Sequence, residues 1–398
     1  MSTRRSLIFG VVSQALSSLT NFIVVIAIAK TQTANYAGAW TLAMAAITLA
    51  IALTRAGIST PMVLSGGARR SVDTRGGLTL ATALGLGIAG VLLILGWCSA
   101  IPLPISILFS AASIVVMAQD FLRYTWIACG QPQRAALLDG IWLLVQGLLL
   151  GVTILLSETS GGAITATWGL GALASLAVGL AMDKQARISL ASARDYLAHY
   201  GTESRRLFGE AFASFGSANL QPFVVAAVLG YAAAGALRIT QTLFAPLSTL
   251  MGGLNPVILR ELSQRKGQSS SITKIFWRWN SVLGALAAAY GVLLIAMPAS
   301  IGELLTGQSW PFVSLLILPI AVHSFLRPFQ MIANINLRAH RRLALLQNAS
   351  WAFFIPSLVM PAALGYLFGI QWVGWGIVFD ALIRTVFFWA ASRRLTRE

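Results

Sequence analysis

The chain has 398 residues, 57% of them apolar and 10% charged, with a mean hydropathy of +0.77. That leaves too little polar surface to cover a soluble globule of this length, so the composition points to an integral membrane protein. The formal net charge of +16 fits either nucleic acid or the anionic face of a membrane, and only the placement of the basic residues decides between them.

A hydrocarbon core of about 30 Å takes roughly 20 residues of helix to cross. Runs of that length fall at 6–29, 35–56, 77–97, 104–127, 137–156, 163–182, 207–229, 232–258, 279–298, 310–331, 344–367 and 371–391. They predict an all-α polytopic protein of about twelve transmembrane helices. Gly and Pro inside the runs do not count against helices, because neighbouring helices can satisfy the freed backbone groups. The opening Thr3-Arg4-Arg5-Ser6-Leu7-Ile8-Phe9 superficially resembles a twin-arginine export signal. Eleven further spans follow it, so Arg4 and Arg5 read as anchors at the inner end of an uncleaved first helix.

With that end inside, 22 of the 28 Lys and Arg fall on the inner side, Lys30 alone falls outside, and Arg55, Arg123, Arg238, Arg327 and Arg384 lie within spans. This is the positive-inside pattern, with both termini cytoplasmic. The inner basic residues are spread over seven segments with no recognition module, which argues against nucleic acid. Anionic inner-leaflet lipid is the simpler partner. The longest connection, 183–206, is charged and predicts a cytoplasmic linker between an N-terminal lobe, 1–182, and a C-terminal lobe, 207–398. Cys98 and Cys129 fall at opposite faces, which excludes a disulfide between them. His199, His323 and His340 are scattered and give no metal spacing. The sequence also holds no glycine loop ending in Gly-Lys-Ser/Thr, so direct ATP hydrolysis is not expected.

The second half repeats the first, in order, about 197 to 208 residues later. Gly38 returns as Gly235, Gly90 to Ile94 as Gly291 to Ile295, and Phe121-Leu122-Arg123 as Phe325-Leu326-Arg327. Arg134-Ala135-Ala136-Leu137-Leu138 returns as Arg342-Leu343-Ala344-Leu345-Leu346, and Trp168-Gly169 as Trp375-Gly376. Short apolar matches recur by chance, but five in order with a slowly drifting offset do not. Six spans per copy follow, and duplication in a membrane chain points to transport.

Polar side chains within spans are the candidates for function. In the first span Gln14, Ser17, Ser18 and Asn21 share one helical face, and in the seventh Glu210, Ser214, Ser217 and Gln221 do the same. The second span carries Thr41, Thr48, Arg55 and Ser59, and the eighth Arg238, Gln241, Thr242 and Thr249. Each such residue has a plain reading as interhelical glue, but four stripes together suit a water-accessible lumen. Five intramembrane arginines cannot face lipid, at roughly 2.5–3.5 kcal/mol each.

Arg123 and Arg327 recur about a turn from the inner end, where snorkelling is cheap, and Asp120 can pair with Arg123 one turn away. Asp380 and Arg384, at i and i+4, form either a simple ion pair or a gating pair. Arg55 and Arg238 have no carboxylate at i±3 or i±4. Cations beside a lumen suit an anionic cargo, since guanidinium offers phosphate several donors at any physiological pH; the alternative for both is anchoring near the two faces.

With its twelve-span layout, its 6+6 duplication, Ser13-Gln14 followed by Asn21-Phe22, and the second-span ending Arg55-Ala56-Gly57-Ile58-Ser59-Thr60-Pro61, the chain resembles the multidrug/oligosaccharidyl-lipid/polysaccharide flippase superfamily. Within it, the chain is most similar to the O-antigen and polysaccharide flippases. The resemblance implies two six-helix lobes about a cavity lined by the first, second, seventh and eighth helices. Its implied activity is moving a polyprenyl-pyrophosphate-linked oligosaccharide from the inner to the outer leaflet of a bacterial inner membrane by alternating access. Arg55 and Arg238 match the cationic cavity positions, with Gln14, Asn21, Gln221 and Gln241 beside them. Asp380, Arg384, Glu210 and Asp120 are the coupling or gating candidates, and membrane potential favours outward movement of the anionic head group.

No cofactor, metal or catalytic residue is implied. The partners implied are the lipid-linked anionic oligosaccharide, membrane lipid, and a polysaccharide polymerase or glycosyltransferase. Twelve spans leave no room for the two extra helices usual in lipid-linked peptidoglycan-precursor flippases. The first span lacks the coupling acid typical of drug exporters, and the loop Gly66 to Gly77 lacks the Asp-Arg pattern of the major facilitators. A small-molecule exporter on the same fold is the second reading. A membrane enzyme of polysaccharide assembly is the third, set back by short outer connections that carry only Glu158 and Glu303.

Overall fold

The computed structural model describes the backbone of residues 3–64, 70–98, 101–264, 269–340 and 342–395. The side chains of Arg4, Arg5 and Arg260, together with the stretch 65–69 that holds Gly66 and Arg69, lie outside the described residues. In chain order the helices are α1 (Thr3–Thr31), α2 (Ala34–Thr54), α3 (Thr60–Leu64), α4 (Arg70–Trp97), α5 (Leu103–Ala128), α6 (Pro132–Leu155), α7 (Gly161–Met182) and α8 (Leu190–Leu229). They continue with α9 (Tyr231–Leu243), α10 (Ala245–Gln264), α11 (Ser269–Ile295), α12 (Ala299–Thr306), α13 (Trp310–Ala339), α14 (Leu343–Phe368) and α15 (Gln371–Leu395). A π-helical turn, Arg55–Ser59, joins α2 to α3, and a 3-10 turn, Gly307–Ser309, joins α12 to α13.

Among the described residues, eleven stretches are long and apolar enough to cross a membrane. The protein is an all-helical, multi-pass membrane protein. The eighth predicted span, 232–258, is instead two helices that meet at Phe244. Pro246 explains the break, because its ring nitrogen cannot donate to the carbonyl four residues back. The segment 190–206, predicted as linker, is the first part of the 40-residue α8.

The chain divides into two compact units, one of residues 1–32 and 39–219, the other of residues 33–38 and 220–398. In the first unit α4 packs on α5, α5 on α7, and α6 on both α1 and α7. Its core is aromatic. Trp40 meets Phe109 edge-on at 5.2 Å, and Trp168 lies 5.9 Å from Phe109 and 5.5 Å from Trp142. Each buried indole needs an acceptor for its N–H. Trp40 donates to Thr165 Oγ1 at 2.8 Å, Trp142 to the Trp168 carbonyl at 3.0 Å, and Trp168 to Asn21 Oδ1 at 3.2 Å.

In the second unit α11 and α15 pack on α13, α14 on α15, and α9 and α10 on α13. The aliphatic core joins Leu247, Met251 and Ile258 of α10 to Leu283 of α11, Ile332 and Leu337 of α13, and Phe388 of α15. Residues 33–38 belong here because the first turn of α2 lies backbone to backbone on α9. A Cβ on Gly38 would sit 1.8 Å from the Tyr231 carbonyl oxygen, and one on Gly235 would sit 2.8 Å from Gly38 Cα. The first matched pair of the repeat is therefore also a contact, and only glycine fits on both sides of it.

Candidate functional site

The site begins with the turn that carries Arg55. Pro61 lacks an N–H, so the helical ladder cannot run through it from the carbonyls before. The chain absorbs this with one wider turn at Arg55–Ser59, the kind of π-bulge common at functional sites. The freed groups find other partners. Thr60 donates both its backbone N–H and its hydroxyl to the Arg55 carbonyl, the hydroxyl at 2.7 Å. Tyr196 of α8 donates its hydroxyl to the Ile58 carbonyl.

Arg55 projects from this turn onto α5. Its Nε donates to Asp120 Oδ2 at 2.8 Å and its Nη2 to Asp120 Oδ1 at 2.5 Å, a two-point guanidinium–carboxylate pair. Asp120 also lies 3.6 Å from Arg123 Nη1. Arg123 in turn donates from Nε to Asp139 Oδ2 at 2.7 Å and from Nη2 to Gln14 Oε1 at 3.4 Å. Ser13 Oγ completes the chain with a 2.5 Å bond to Asp139 Oδ2. Three helices, α1, α5 and α6, and the π-turn thus hold two arginines and two aspartates, which sum to no net charge. Exposure falls steeply along the row: the side chain of Arg55 is 31% exposed, Asp120 6%, Arg123 3% and Asp139 1%. Only Arg55 offers an open face. Asp139 Oδ1 is buried and takes no hydrogen bond from the described residues.

Two expectations are corrected here. Arg55 is not an unpaired cation, because its carboxylate comes from 65 positions away rather than from its own helix. Arg123 does not snorkel; it is buried between two carboxylates. Asp139 was missed altogether. It sits at the start of a span, with no helical relation to any arginine. The signal that could have found it is arithmetic: five arginines in the spans call for more acids than Asp120, Glu210 and Asp380.

The second unit holds a smaller cluster. Asp380 and Arg384 do pair, at 3.0 Å. Ser357 Oγ donates to Asp380 Oδ1 at 2.5 Å, and Arg384 reaches both Ser357 Oγ and the Phe353 carbonyl, the latter at 3.2 Å. The Arg384 guanidinium lies 5.4 Å from the Phe353 ring centre. Pro361 of α14 cannot donate to the Ser357 carbonyl, and Gln221 of α8 takes over with its side-chain amide at 3.0 Å. Gln221 is thus buried and committed to this carbonyl. Asn21 is likewise committed to Trp168. Gln14 stays exposed on α1, Glu210 is half-buried on α8, and Arg238 and Gln241 are half-buried one turn apart on α9. Arg327 is exposed and donates to Ser248 Oγ at 2.5 Å. Both cysteines are free thiols.

The same fold is found in solved transporters of the MOP superfamily. A multidrug-resistance MATE family transporter of that superfamily, in its inward-facing conformation, superposes with a TM-score of 0.71 at 15% identity over 98% of each chain. The lipid II flippase MurJ, inward closed, gives a TM-score of 0.72 at 10% identity over 96% of this chain and 87% of that one. A MOP-superfamily transporter from Pyrococcus furiosus gives 0.62 at 14% identity, over 99% and 95%. No protein-family model and no curated protein matches the sequence.

Proposed function

We propose that the chain is a flippase that carries a lipid-linked, phosphate-bearing oligosaccharide across the membrane by alternating access, with a polyprenyl-pyrophosphate repeat unit as its cargo. The observation that carries this reading is the graded ion row of the first unit. It presents one half-exposed guanidinium, Arg55, while burying the remaining charges behind it. A guanidinium so held can offer phosphate two parallel donors. The fold supports the same reading, since it is shared with a lipid II flippase as well as with multidrug transporters. Arg238 on α9 is proposed as a second phosphate contact. Asp380, Arg384, Glu210 and Asp120 are proposed to act in gating or coupling. A bacterial inner membrane with cytoplasmic termini, and a polymerase or glycosyltransferase as pathway partner, complete the proposal.

The test is purified protein in liposomes holding a fluorescent polyprenyl-pyrophosphate oligosaccharide. Loss of inner-leaflet label to an outer-leaflet quencher is expected with the wild type and not with Arg55→Ala. The reading fails if the lipid does not move while a cationic dye is exported. That outcome would favour the second reading, a small-molecule exporter, which the likeness to the MATE transporters supports.

A further inference from the structure

The first half of α8 has three distinct faces. At about 1.5 Å per residue its 40 residues reach about 60 Å, twice the roughly 30 Å of a hydrocarbon core. One end must therefore leave the core, and the polar end is 190–206. Ala193, Tyr196 and Tyr200 are buried on one face. They lie on the start of α4 and on the π-turn. Tyr196 donates to the Ile58 carbonyl, Tyr200 donates to Asp73 Oδ2 at 3.1 Å, and a Cβ on Gly76 would meet the Ser192 carbonyl at 2.4 Å. The segment just before is tied to α4 as well, with Ser189 N donating to Thr79 Oγ1 at 2.9 Å and Arg75 Nε to the Gln185 carbonyl at 3.3 Å.

The other two faces are exposed and unlike each other. Leu190, Arg194, Leu197, Arg205 and Phe208 follow one another at spacings that keep them on one stripe. Leu190 is 75% and Leu197 49% exposed, and in the segment just before the helix Ile188 is 66% exposed and Arg187 is exposed as well. The remaining face carries Asp195, His199, Thr202, Glu203 and Arg206, all exposed. The acids sit only on this last face. An apolar stripe edged by arginine, beside a separate acidic and polar face, is the pattern of a helix lying in a bilayer interface that carries anionic lipid.

We propose that residues 187–208 bind anionic phospholipid headgroups through Arg187, Arg194 and Arg205, with Leu190 and Leu197 among the acyl chains, and that bound lipid steadies the Arg55 turn through the Tyr196–Ile58 hydrogen bond. The lipid is recognised as a phosphate-bearing surface rather than as cargo, so the proposal stands apart from the transport reading.

The test uses the full chain in vesicles of phosphatidylcholine alone or with one-third phosphatidylglycerol, read by amide hydrogen exchange, which needs no transported substrate. Phosphatidylglycerol should slow exchange over 190–206 and over 55–60. An anionic surface strengthens binding about fivefold per nearby arginine, so the triple change R187Q/R194Q/R205Q should remove most of the slowing. R206Q, which deletes the same charge from the polar face, should leave it intact. Tyr196→Phe should keep the effect on 190–206 and lose it on 55–60. Equal protection in phosphatidylcholine, or equal loss with R206Q, overturns the lipid site. Persistence of the effect at 55–60 in Tyr196→Phe overturns the link to Arg55.

Discussion

Arg123 and Arg327 hold the same place in the two copies of the repeat, yet Arg123 is buried among Asp139, Asp120 and Gln14 while Arg327 is exposed against Ser248. The neighbours in the repeat register explain the difference. Where the first copy has Asp120 and Asp139, the second has Ser324 and Gln347. A guanidinium can be buried only where carboxylates compensate it. The second unit builds its own pair elsewhere, with Asp380 and Arg384 at positions that match Leu173 and Ala177 of the first copy. The two copies thus share a helix frame but carry their buried ion pairs at different places in it. Among the described residues, only the charge row of the first unit runs from a sealed end to a half-exposed arginine.

The comparison breaks most readily at Asp139. Asp139→Asn should cost about 3–5 kcal/mol, because it removes the close counter-charge of a buried arginine; thermal unfolding in detergent measures it. Arg327→Gln in the same assay should stay within about 0.5 kcal/mol. Equal losses would mean that the two arginines do the same structural job.

Gln221→Leu should cost about 1–3 kcal/mol by leaving the Ser357 carbonyl without a donor, with cargo preference unchanged. Transport lost at full stability would instead return Gln221 to the substrate contacts. Arg55→Lys keeps the charge and loses the two-point geometry, so the KM for the lipid-linked cargo should rise about tenfold with kcat little changed. An unchanged KM would make Arg55 scaffold. Glu261→Gln should also have a small effect, under about 1 kcal/mol. Its partner Arg278 is 57% exposed at 2.6 Å, and the exposed pair serves as a baseline for the buried ones.

Pairs within one helix were legible in the sequence. Asp380 with Arg384 and Asp120 with Arg123 follow from the helical period, and both meet as expected, although the second contact is the looser one at 3.6 Å. Pairs between helices were not. The partner of Arg55 lies 65 positions on and that of Arg123 lies 16 on, across a turn. No periodicity links such residues; only packing of α5 against α6 and the π-turn brings them together. The same reason hid the duties of Asn21 and Gln221, which answer a tryptophan N–H and a proline-orphaned carbonyl on distant helices.

By itself the sequence determined that the chain is a multi-pass helical membrane protein, because hydrocarbon demands long apolar runs with every backbone group paired inside them. It also determined the two matched copies, since recurrent motifs survive in order along the chain. Tertiary structure decided which charges are buried, which are shared and which remain open. Burial of a charge depends on what packs beside it, and in this protein those neighbours come from other helices.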